Sequence, residues 1–301
     1  MSFRSGILEY FVAVAEEGQM TRAARRLGVA QPALSQAMAQ LEAEFGLILL
    51  ERHSRGVSLT PAGAVLYEKA RLAVVANGDA LQTAQALARA QSGTIEFGFV
   101  GSPPVLVGPG GLETFSSSYP EIEIHYRELP FPTVPTAHWL AQVDVAACHQ
   151  LRADGEVWIR PLRGEPRMIL MPRRHHLAGR DELTLADVLD ETFIGFAPAV
   201  DPDWAGFWSL DDHRGGPPRR TTGDRAANPQ EMIAAVAMSD AITAIPSSDA
   251  GAIFDLLTAV RVIPLLGAAP ALIVLAGHEG RAGPPVQTLL AFTAGAGRSA
   301  D

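Results

Sequence analysis

The chain has 301 residues, of which 48% are hydrophobic and 19% charged, so it can bury a core and is not disordered throughout. Acidic residues outnumber basic ones by 33 to 24, which gives a formal net charge of −9. A single cysteine excludes an intramolecular disulfide scaffold and a zinc cluster built on cysteines. At about 150 residues a domain, the length predicts about two domains.

The charge is unevenly distributed along the chain. Residues 1–91 contain nine Lys and Arg against eight Asp and Glu, which leaves a net charge of about −10 on residues 92–301. A near-neutral first part can contact phosphate more readily than the acidic remainder. The sequence shows neither a secretion signal nor an apolar run of the ~20 residues that a membrane span needs, so we expect a cytoplasmic protein without a membrane partner.

The first sixty residues predict three short helices and a hairpin. Apolar residues recur at helical spacing over residues 7–14, and Thr21 is expected to cap a second helix that ends at Gly28. Proline suits the first turn of a helix, so Gln31-Pro32 predicts the start of a third helix, which runs to about residue 45. Two strands, over residues 47–50 and 57–59, then flank a polar turn and form a wing.

Polar groups on the third helix and basic groups around it predict DNA binding. Two helices joined by a tight turn, the second with short polar side chains, fit the helix-turn-helix geometry. Amides and hydroxyls near the start of that helix can reach base edges in the major groove, and flanking arginines can contact phosphates. The predicted DNA-contacting residues are Arg22, Arg25, Arg26, Gln31, Pro32, Ala33, Ser35, Gln36, Arg52, His53 and Arg55.

The same region resembles a known family. Residues 8–63 are similar, without a gap, to the winged helix-turn-helix of LysR-type transcriptional regulators, most specifically over residues 23–42. Three positions depart from the family's pattern. Gln36 and Gln40 stand where basic residues are frequent, and Ile48 stands where a proline is frequent. These changes lower the expected contribution of phosphate contacts, and they leave the expected fold unchanged.

A long helix follows the wing. From Pro61 to about Gln91 no proline interrupts an apolar stripe, and a helix of that length spans ~46 Å at ~1.5 Å per residue. A helix so long with one apolar face needs a partner. The resemblance implies that this partner is the linker helix of a second subunit, and hence a homodimer or homotetramer.

Beyond residue 93 strands and helices alternate, which predicts a parallel sheet covered by helices. Strands are expected over residues 94–100, 122–126, 143–147, 168–171, 193–196, 241–245 and 272–276. Helices are expected over residues 103–118, 185–189, 229–238 and 286–294. Two such lobes joined by two crossings resemble the effector-binding domain of the same family, which is itself similar to periplasmic solute-binding proteins.

The predicted fold is therefore a two-part α+β chain. It comprises a winged helix-turn-helix at 1–60, a linker and dimerisation helix at 61–92, and a two-lobed α/β effector-binding domain at 93–301. The first lobe takes about 93–162 and 267–301, and the second takes about 163–266.

An effector is expected between the lobes, because ligands of such sheets lie beyond the carboxyl ends of the strands. Ser102 follows the first strand of the body, and a helix beginning at Pro103 would favour a carboxylate at its N-terminus. The predicted effector-contacting residues are Ser102, Pro103, Phe131, Thr133, His149, Phe196 and Asn228. Capping by Ser102 and Asn228, and packing by the others, are the alternative roles; Asn228 and Glu231 form a predicted capping box.

No enzyme signature is present, since the sequence lacks the GxSxG, P-loop and GxGxxG motifs. We expect neither metal nor cofactor, and we expect the adjacent His175 and His176 to point apart. Cys148 is expected to be buried. The aromatic and acidic segment from Asp201 to Asp212 is interpreted as packing or surface.

Together these features predict a sequence-specific, DNA-binding transcriptional regulator controlled by a small effector, with a carboxylate as the expected class and RNA polymerase as a further partner. An effector-independent regulator of the same family is the main alternative. An enzyme would need a catalytic constellation, and a solute-binding protein would need an export signal and no reading helix.

Overall fold

The computed structural model describes residues 5–53, 56–101, 111–223, 225–254 and 259–296. The chain divides into two compact units, Met1–Gln82 and Thr83–Asp301. Each unit has its own buried apolar clusters. Mixed helices and strands in this order confirm the predicted fold class. Among these residues no helix is both long and apolar enough to cross a bilayer.

The first unit has three helices and a hairpin as predicted. They are α1 (Ser5–Glu17), α2 (Met20–Leu27), α3 (Gln31–Phe45), β1 (Leu50–His53) and β2 (Gly56–Leu59). The two strands pair antiparallel, with Leu50 opposite Leu59. Phe11, Leu34 and Leu41 are fully buried, so the three helices share one core.

The prediction that Thr21 caps α2 is wrong. The helix begins at Met20, and its N-cap is Gln19, two residues before Thr21, and Gln19 makes no side-chain capping bond. Gly18 follows the preceding helix with a positive φ of 62°, so a tight turn of two residues, Gly18 and Gln19, joins the two helices.

The wing is fastened to the helices at two points. Val57 donates its backbone N–H to the carbonyl of Gly18 at 2.8 Å, and a Cβ at Gly56 would overlap that same carbonyl. The carboxylate of Glu42 accepts the N–H groups of Leu49 and Leu50 at 2.8 and 3.0 Å. Glu42 of α3 thus occupies the backbone N–H groups at the start of the hairpin. The first strand accordingly begins at Leu50 rather than at residue 47 as predicted.

A single helix, α4 (Pro61–Ser92), follows the wing as predicted, and the boundary between the two units lies within it. Thr60 caps it, since its hydroxyl accepts the N–H of Gly63 at 2.9 Å and donates to the carbonyl of Ile48 at 2.8 Å.

The second unit contains two sheets. The first has the order β4-β3-β5-β11-β6 and the second the order β8-β10-β7-β9. The strands are β3 (Thr94–Phe99), β4 (Glu123–Glu128), β5 (Val145–His149), β6 (Val157–Glu165), β7 (Arg167–Pro172), β8 (Leu183–Thr184), β9 (Thr243–Pro246), β10 (Val260–Leu266) and β11 (Ala271–His278).

Helices cover both sheets of this unit. They are α5 (Gly111–Ser118), α6 (Thr136–Trp139), α7 (Leu185–Val188), α8 (Pro202–Trp208), α9 (Asp211–Arg214), α10 (Pro229–Met238), α11 (Ser247–Phe254) and α12 (Pro284–Ala296), with a 3₁₀ turn at Glu279–Arg281. The chain crosses between the sheets twice, once at Pro166 and once over residues 267–270, which confirms the two predicted crossings.

The prediction of parallel sheets is wrong in part. β3 pairs parallel with β4 and β5, but β11 pairs antiparallel with both β5 and β6, and β7 pairs antiparallel with β9 and β10. The returning strand β11 enters the first sheet between two strands that run the other way. Its place depends on long-range pairing, which local patterns do not report.

The predicted strand over residues 193–196 forms only isolated bridges. Phe193 pairs with Thr221 and Ile242, whereas Phe196 pairs with Ala226, so no continuous ladder develops. The first part of the helix predicted over residues 103–118 lies outside the described residues, and α5 supplies its last turns.

Candidate functional site

The third helix of the first unit presents one polar and one apolar face. Leu34, Met38 and Leu41 are buried, and this fixes the rotation of the helix about its axis. Pro32, Ala33 and Gln36 are exposed on the other side, while Gln31 and Ser35 are half-buried and share a hydrogen bond of 2.8 Å. The predicted reading residues therefore lie together on the face that the core does not use.

The three arginines of α2 are not equivalent. Arg22 is bonded to the carbonyl and the carboxylate of Glu17. Arg26 forms an ion pair with Glu16 at 2.6 Å, and that hydrogen bond raises the pKa of Arg26. Arg25 is exposed and makes no ion pair with the residues that the structure describes. Of the three arginines, Arg25 can therefore contact a phosphate without first breaking an ion pair.

The wing carries the other predicted basic groups. Arg52 and His53 are exposed at the end of β1, and Arg52 lies opposite Val57 in the hairpin register. Arg55 lies outside the described residues. The structure thus brings the reading residues and two wing side chains into the same unit.

An aromatic cluster joins the two sheets of the second unit. Phe131, from the chain that follows β4, packs against Trp204 and Phe196 with ring centroids 4.7 and 5.7 Å apart. Trp204 in turn meets the ring of Trp208 at 5.9 Å and donates its indole N–H to the carbonyl of His149 at 2.9 Å. These contacts connect two parts of the first sheet, the segment after β4 and the end of β5, to helix α8, which packs on the second sheet.

The segment from Asp201 to Asp212, whose purpose the sequence did not reveal, supplies much of this cluster. Asp201 caps α8 by accepting the N–H groups of Asp203 and Trp204, at 2.8 and 3.3 Å. The sequence did contain a sign of this helix. An Asp-Pro pair is a typical helix start, and two tryptophans four residues apart lie on the same face of a helix, so a helix with a buried aromatic face could have been predicted here.

A buried polar cluster lies beside the aromatic rings, where β6 gives way to β7. Glu165 is paired with His149 and accepts hydrogen bonds from Ser247 and from both the N–H and the hydroxyl of Ser248, at 2.8 to 3.1 Å. Burial raises the pKa of a carboxyl group, but these hydrogen bonds outweigh it, and the pKa of Glu165 is lowered. The carboxylate therefore stays ionised inside the protein.

A buried arginine holds the two crossings together. The side chain of Arg167, just past the first crossing, is fully buried and pairs with Asp212 at 2.7 Å. It also donates to the carbonyl of Ala269 in the second crossing at 2.8 Å and lies over the ring of Phe207, 4.0 Å from its centroid.

A cavity of about 30 Å³, the volume of about one water molecule, lies within the aromatic cluster. Its described lining is Val100, Phe131, His149, Trp204, Trp208, Pro229, Met232, Ala244, Ile245, Pro246 and Asp249. A larger cavity, of about 330 Å³, lies beside α8, where Asp203, Asp211 and Asp212 are already paired with arginines.

The predicted effector residues are distributed unevenly around the small cavity. Phe131 and His149 line it, and Phe196 packs against the ring of Phe131. Asn228 caps α10 by accepting the N–H of Glu231 at 2.9 Å, as predicted, whereas Thr133 only bridges to Val200. Ser102 and Pro103 lie outside the described residues.

Sequence reasoning missed nine of the eleven described lining residues, among them Trp204, Trp208 and Asp249. The two tryptophans carried the helix-start signal described above. Asp249 gave none, because its place depends on Gly101, where a Cβ would lie 2.7 Å from a carboxylate oxygen of Asp249. Gly101 has a φ of 77°, a backbone conformation that favours glycine, and this glycine leaves room for that carboxylate.

Comparison with known proteins follows the same division of the chain. Residues 6–64 match the model of the bacterial regulatory helix-turn-helix protein, lysR family, and residues 88–298 match the LysR substrate binding domain. The chain belongs to the LysR family. It is a DNA-binding transcriptional regulator with a substrate-binding domain, which makes an enzyme a poor alternative.

Individual relatives agree with the family assignment. The chain is 31% identical to the HTH-type transcriptional regulator AlsR of Bacillus subtilis over 242 residues, 80% of either chain. The crystal structure of full-length BenM is 26% identical, with a TM-score of 0.52, and covers 99% of this chain and 97% of BenM. Full-length CbnR complexed with its target DNA shares the fold, at 24% identity and a TM-score of 0.52, over 98% of this chain and all of CbnR.

Proposed function

We propose that this LysR-family regulator reads its operator with α3 in the major groove. The observation that carries the proposal is the free polar face of α3, from Gln31 to Gln36, held outward by a buried apolar face. Amide side chains can pair bidentately with adenine. The register on the DNA is fixed by phosphate contacts from Arg25, Arg52, His53 and Arg55. Arg22 and Arg26 add phosphate contacts once they have released the glutamates that they pair with in the free protein.

The active form that we propose is a homodimer or a pair of dimers. Along one side of α4 the apolar side chains of Val65, Leu72, Val75 and Leu87 are 39% to 70% exposed in the single chain. Burying such a row against a second copy is favourable by ~25 cal/mol per Å². Two reading helices related by a two-fold axis then match a near-palindromic site in the DNA.

The proposed working parts are the reader at 1–60, the linker helix at 61–92 and the effector domain at 93–301. In the effector domain a small molecule binds between the lobes, at Phe131, His149 and Phe196, with Ser102, Pro103, Thr133 and Asn228 around it. A ligand that binds one arrangement of the two lobes more tightly than another shifts the population towards that arrangement. That shift is the signal passed to RNA polymerase in the cytoplasm.

The first experiment is a fluorescence-anisotropy titration of the full-length protein on the DNA that flanks its own gene, with a scrambled duplex of equal length as control. We expect the flanking DNA to bind ~10³-fold or more tightly than the scrambled duplex at moderate salt. Arg52→Ala should weaken binding to both duplexes while the melting temperature stays within a few degrees. Equal affinity of the wild type for both duplexes contradicts the proposal.

The second experiment tests effector control. Small carboxylates and aromatic acids are screened by thermal shift and by the fluorescence of Trp204 and Trp208, which lie in the aromatic cluster that joins the two sheets. A ligand that raises the melting temperature, changes the fluorescence and alters operator affinity supports control through the cleft. A regulator that binds its operator identically with every compound is effector-independent.

A further inference from the structure

A cluster of three metal-ligating side chains lies outside the DNA reader and the cleft. His175 and His176 are in the turn after β7, and Glu191 follows α7. One ligand atom from each lies within 4.8 Å of the others. The expectation that the two histidines point apart is wrong, since their rings are 4.6 Å apart and tilted by only 31°. They lie in a tight turn, where the alternation of a regular strand does not apply.

Each histidine faces a different oxygen of the same carboxylate. His176 Nε2 is 2.8 Å from one oxygen of Glu191, and His175 Nε2 is 3.6 Å from the other. His175 is almost fully buried, whereas the side chain of His176 is 67% exposed. An ion held among the three would thus have protein on one side and water on the other.

We propose that His175, His176 and Glu191 bind a zinc ion. Two imidazoles and a carboxylate form a recurring zinc-ligand set, which leaves the fourth position to water. The three ligand atoms already lie within 4.8 Å of one another, so small side-chain rotations can bring each of them to the ~2.0–2.2 Å from a central ion that zinc requires. The ion would join the turn after β7 to the turn after α7.

The surroundings of His175 also favour a metal over a proton. Its side chain is almost fully buried, and burial makes an unpaired imidazolium costly, whereas a metal binds the neutral ring. Glu191 supplies the negative charge that balances the ion.

Zinc binding would break one existing hydrogen bond of His175. The N–H of Leu177 approaches Nδ1 of His175 at 3.3 Å, so Nδ1 is the acceptor and Nε2 carries the proton. Zinc on Nε2 requires the other tautomer, with the proton on Nδ1. We therefore expect affinity in the micromolar range rather than that of a preformed site, and the Leu177 amide should report the change.

The test is isothermal titration calorimetry of the full-length, tag-free protein, stripped with chelator, against zinc chloride alone. We expect one zinc per chain at this site and a melting temperature that rises by several degrees in excess zinc. His176→Ala and Glu191→Gln should each weaken that binding at least ten-fold. His138→Ala removes an exposed histidine elsewhere in the second unit and should leave it unchanged.

Two outcomes overturn the site. One is zinc binding of equal strength in the wild type, His176→Ala and Glu191→Gln, which would place the metal elsewhere. The other is no heat and no thermal shift at about a ten-fold excess of zinc. A ¹⁵N-edited spectrum adds an independent reading, because the Leu177 amide must shift on zinc addition in the wild type and stay fixed in His176→Ala, which removes a largely exposed side chain.

Discussion

The reading helix and the inter-sheet cleft of this LysR-family protein use polar side chains in opposite ways. On α3, Gln36 points to solvent from a helix whose other face is locked in the core. In the second unit, Glu165 and Arg167 are buried and fully engaged with other parts of the protein. The polar face of α3 is therefore exposed, whereas the buried polar groups of the second unit are already paired within the protein.

The largest effect should come from breaking the network at the crossings. Arg167→Ala removes the arginine that pairs with Asp212 and leaves the carbonyls of Phe207 and Ala269 without that donor, so the second unit should lose about 3–5 kcal/mol of unfolding free energy. Arg160→Ala, which removes an exposed arginine from β6, should change the stability by less than about 0.5 kcal/mol. Urea unfolding followed by circular dichroism measures both. Similar midpoints for the two variants would mean that the network does not hold the sheets together.

The second largest effect is expected from a charge introduced on α4, which should change the oligomeric state rather than the stability of the fold. Leu72 is 55% exposed in the single chain, and Leu72→Glu would place a carboxylate in the proposed subunit interface. Light scattering after gel filtration should then report monomers at concentrations where the wild type is dimeric or tetrameric. Asn77→Glu lies on roughly the opposite face of α4 and is the control. An unchanged mass for Leu72→Glu would exclude this stretch of α4 from the interface.

A pH effect comes third and concerns the cleft alone. The folded state lowers the pKa of Glu165 below its ordinary value near 4.5, so its contribution to stability is complete above that pH. The contribution is lost as pH falls from 4.5 through the folded-state pKa. Glu165→Gln should be less stable than the wild type at neutral pH and should lose less stability on acidification. The control, Glu182→Gln, replaces an exposed carboxylate and should follow the wild-type curve between pH 6 and 3 in thermal melts.

How much the sequence could reveal differs between the same two regions. The bounds of α3 and α10 follow from local signals, a proline in the first turn and a cap at Asn228, so both helices were predicted closely. β6 was missed because Pro161 and Gly164 interrupt its pattern, which is tolerated where a strand lies at the edge of a sheet. The cavity residues come from segments far apart in the chain, and only folding brings Trp208 and Asp249 together.

The smallest expected effect is a difference between Arg25→Ala and Arg26→Ala in the salt dependence of DNA binding. Arg25→Ala should reduce the slope of log affinity against log salt by about 1, the loss of one phosphate contact. Arg26→Ala should reduce it by less, because Arg26 is held by Glu16 in the free protein. Anisotropy titrations at several salt concentrations give both slopes. Equal reductions would show that the ion pair opens fully on DNA.

Base reading by α3 is tested most directly by the ratio of dissociation constants for scrambled duplex and operator, measured for the wild type, Gln36→Ala and Gln40→Ala at one salt concentration. Gln36→Ala should lower the ratio by about 5- to 150-fold, the equivalent of 1–3 kcal/mol, with an unchanged melting temperature. Gln40→Ala, one turn further along the helix, should lower it less. A Gln36→Ala protein that keeps the full wild-type ratio would contradict base reading by this face.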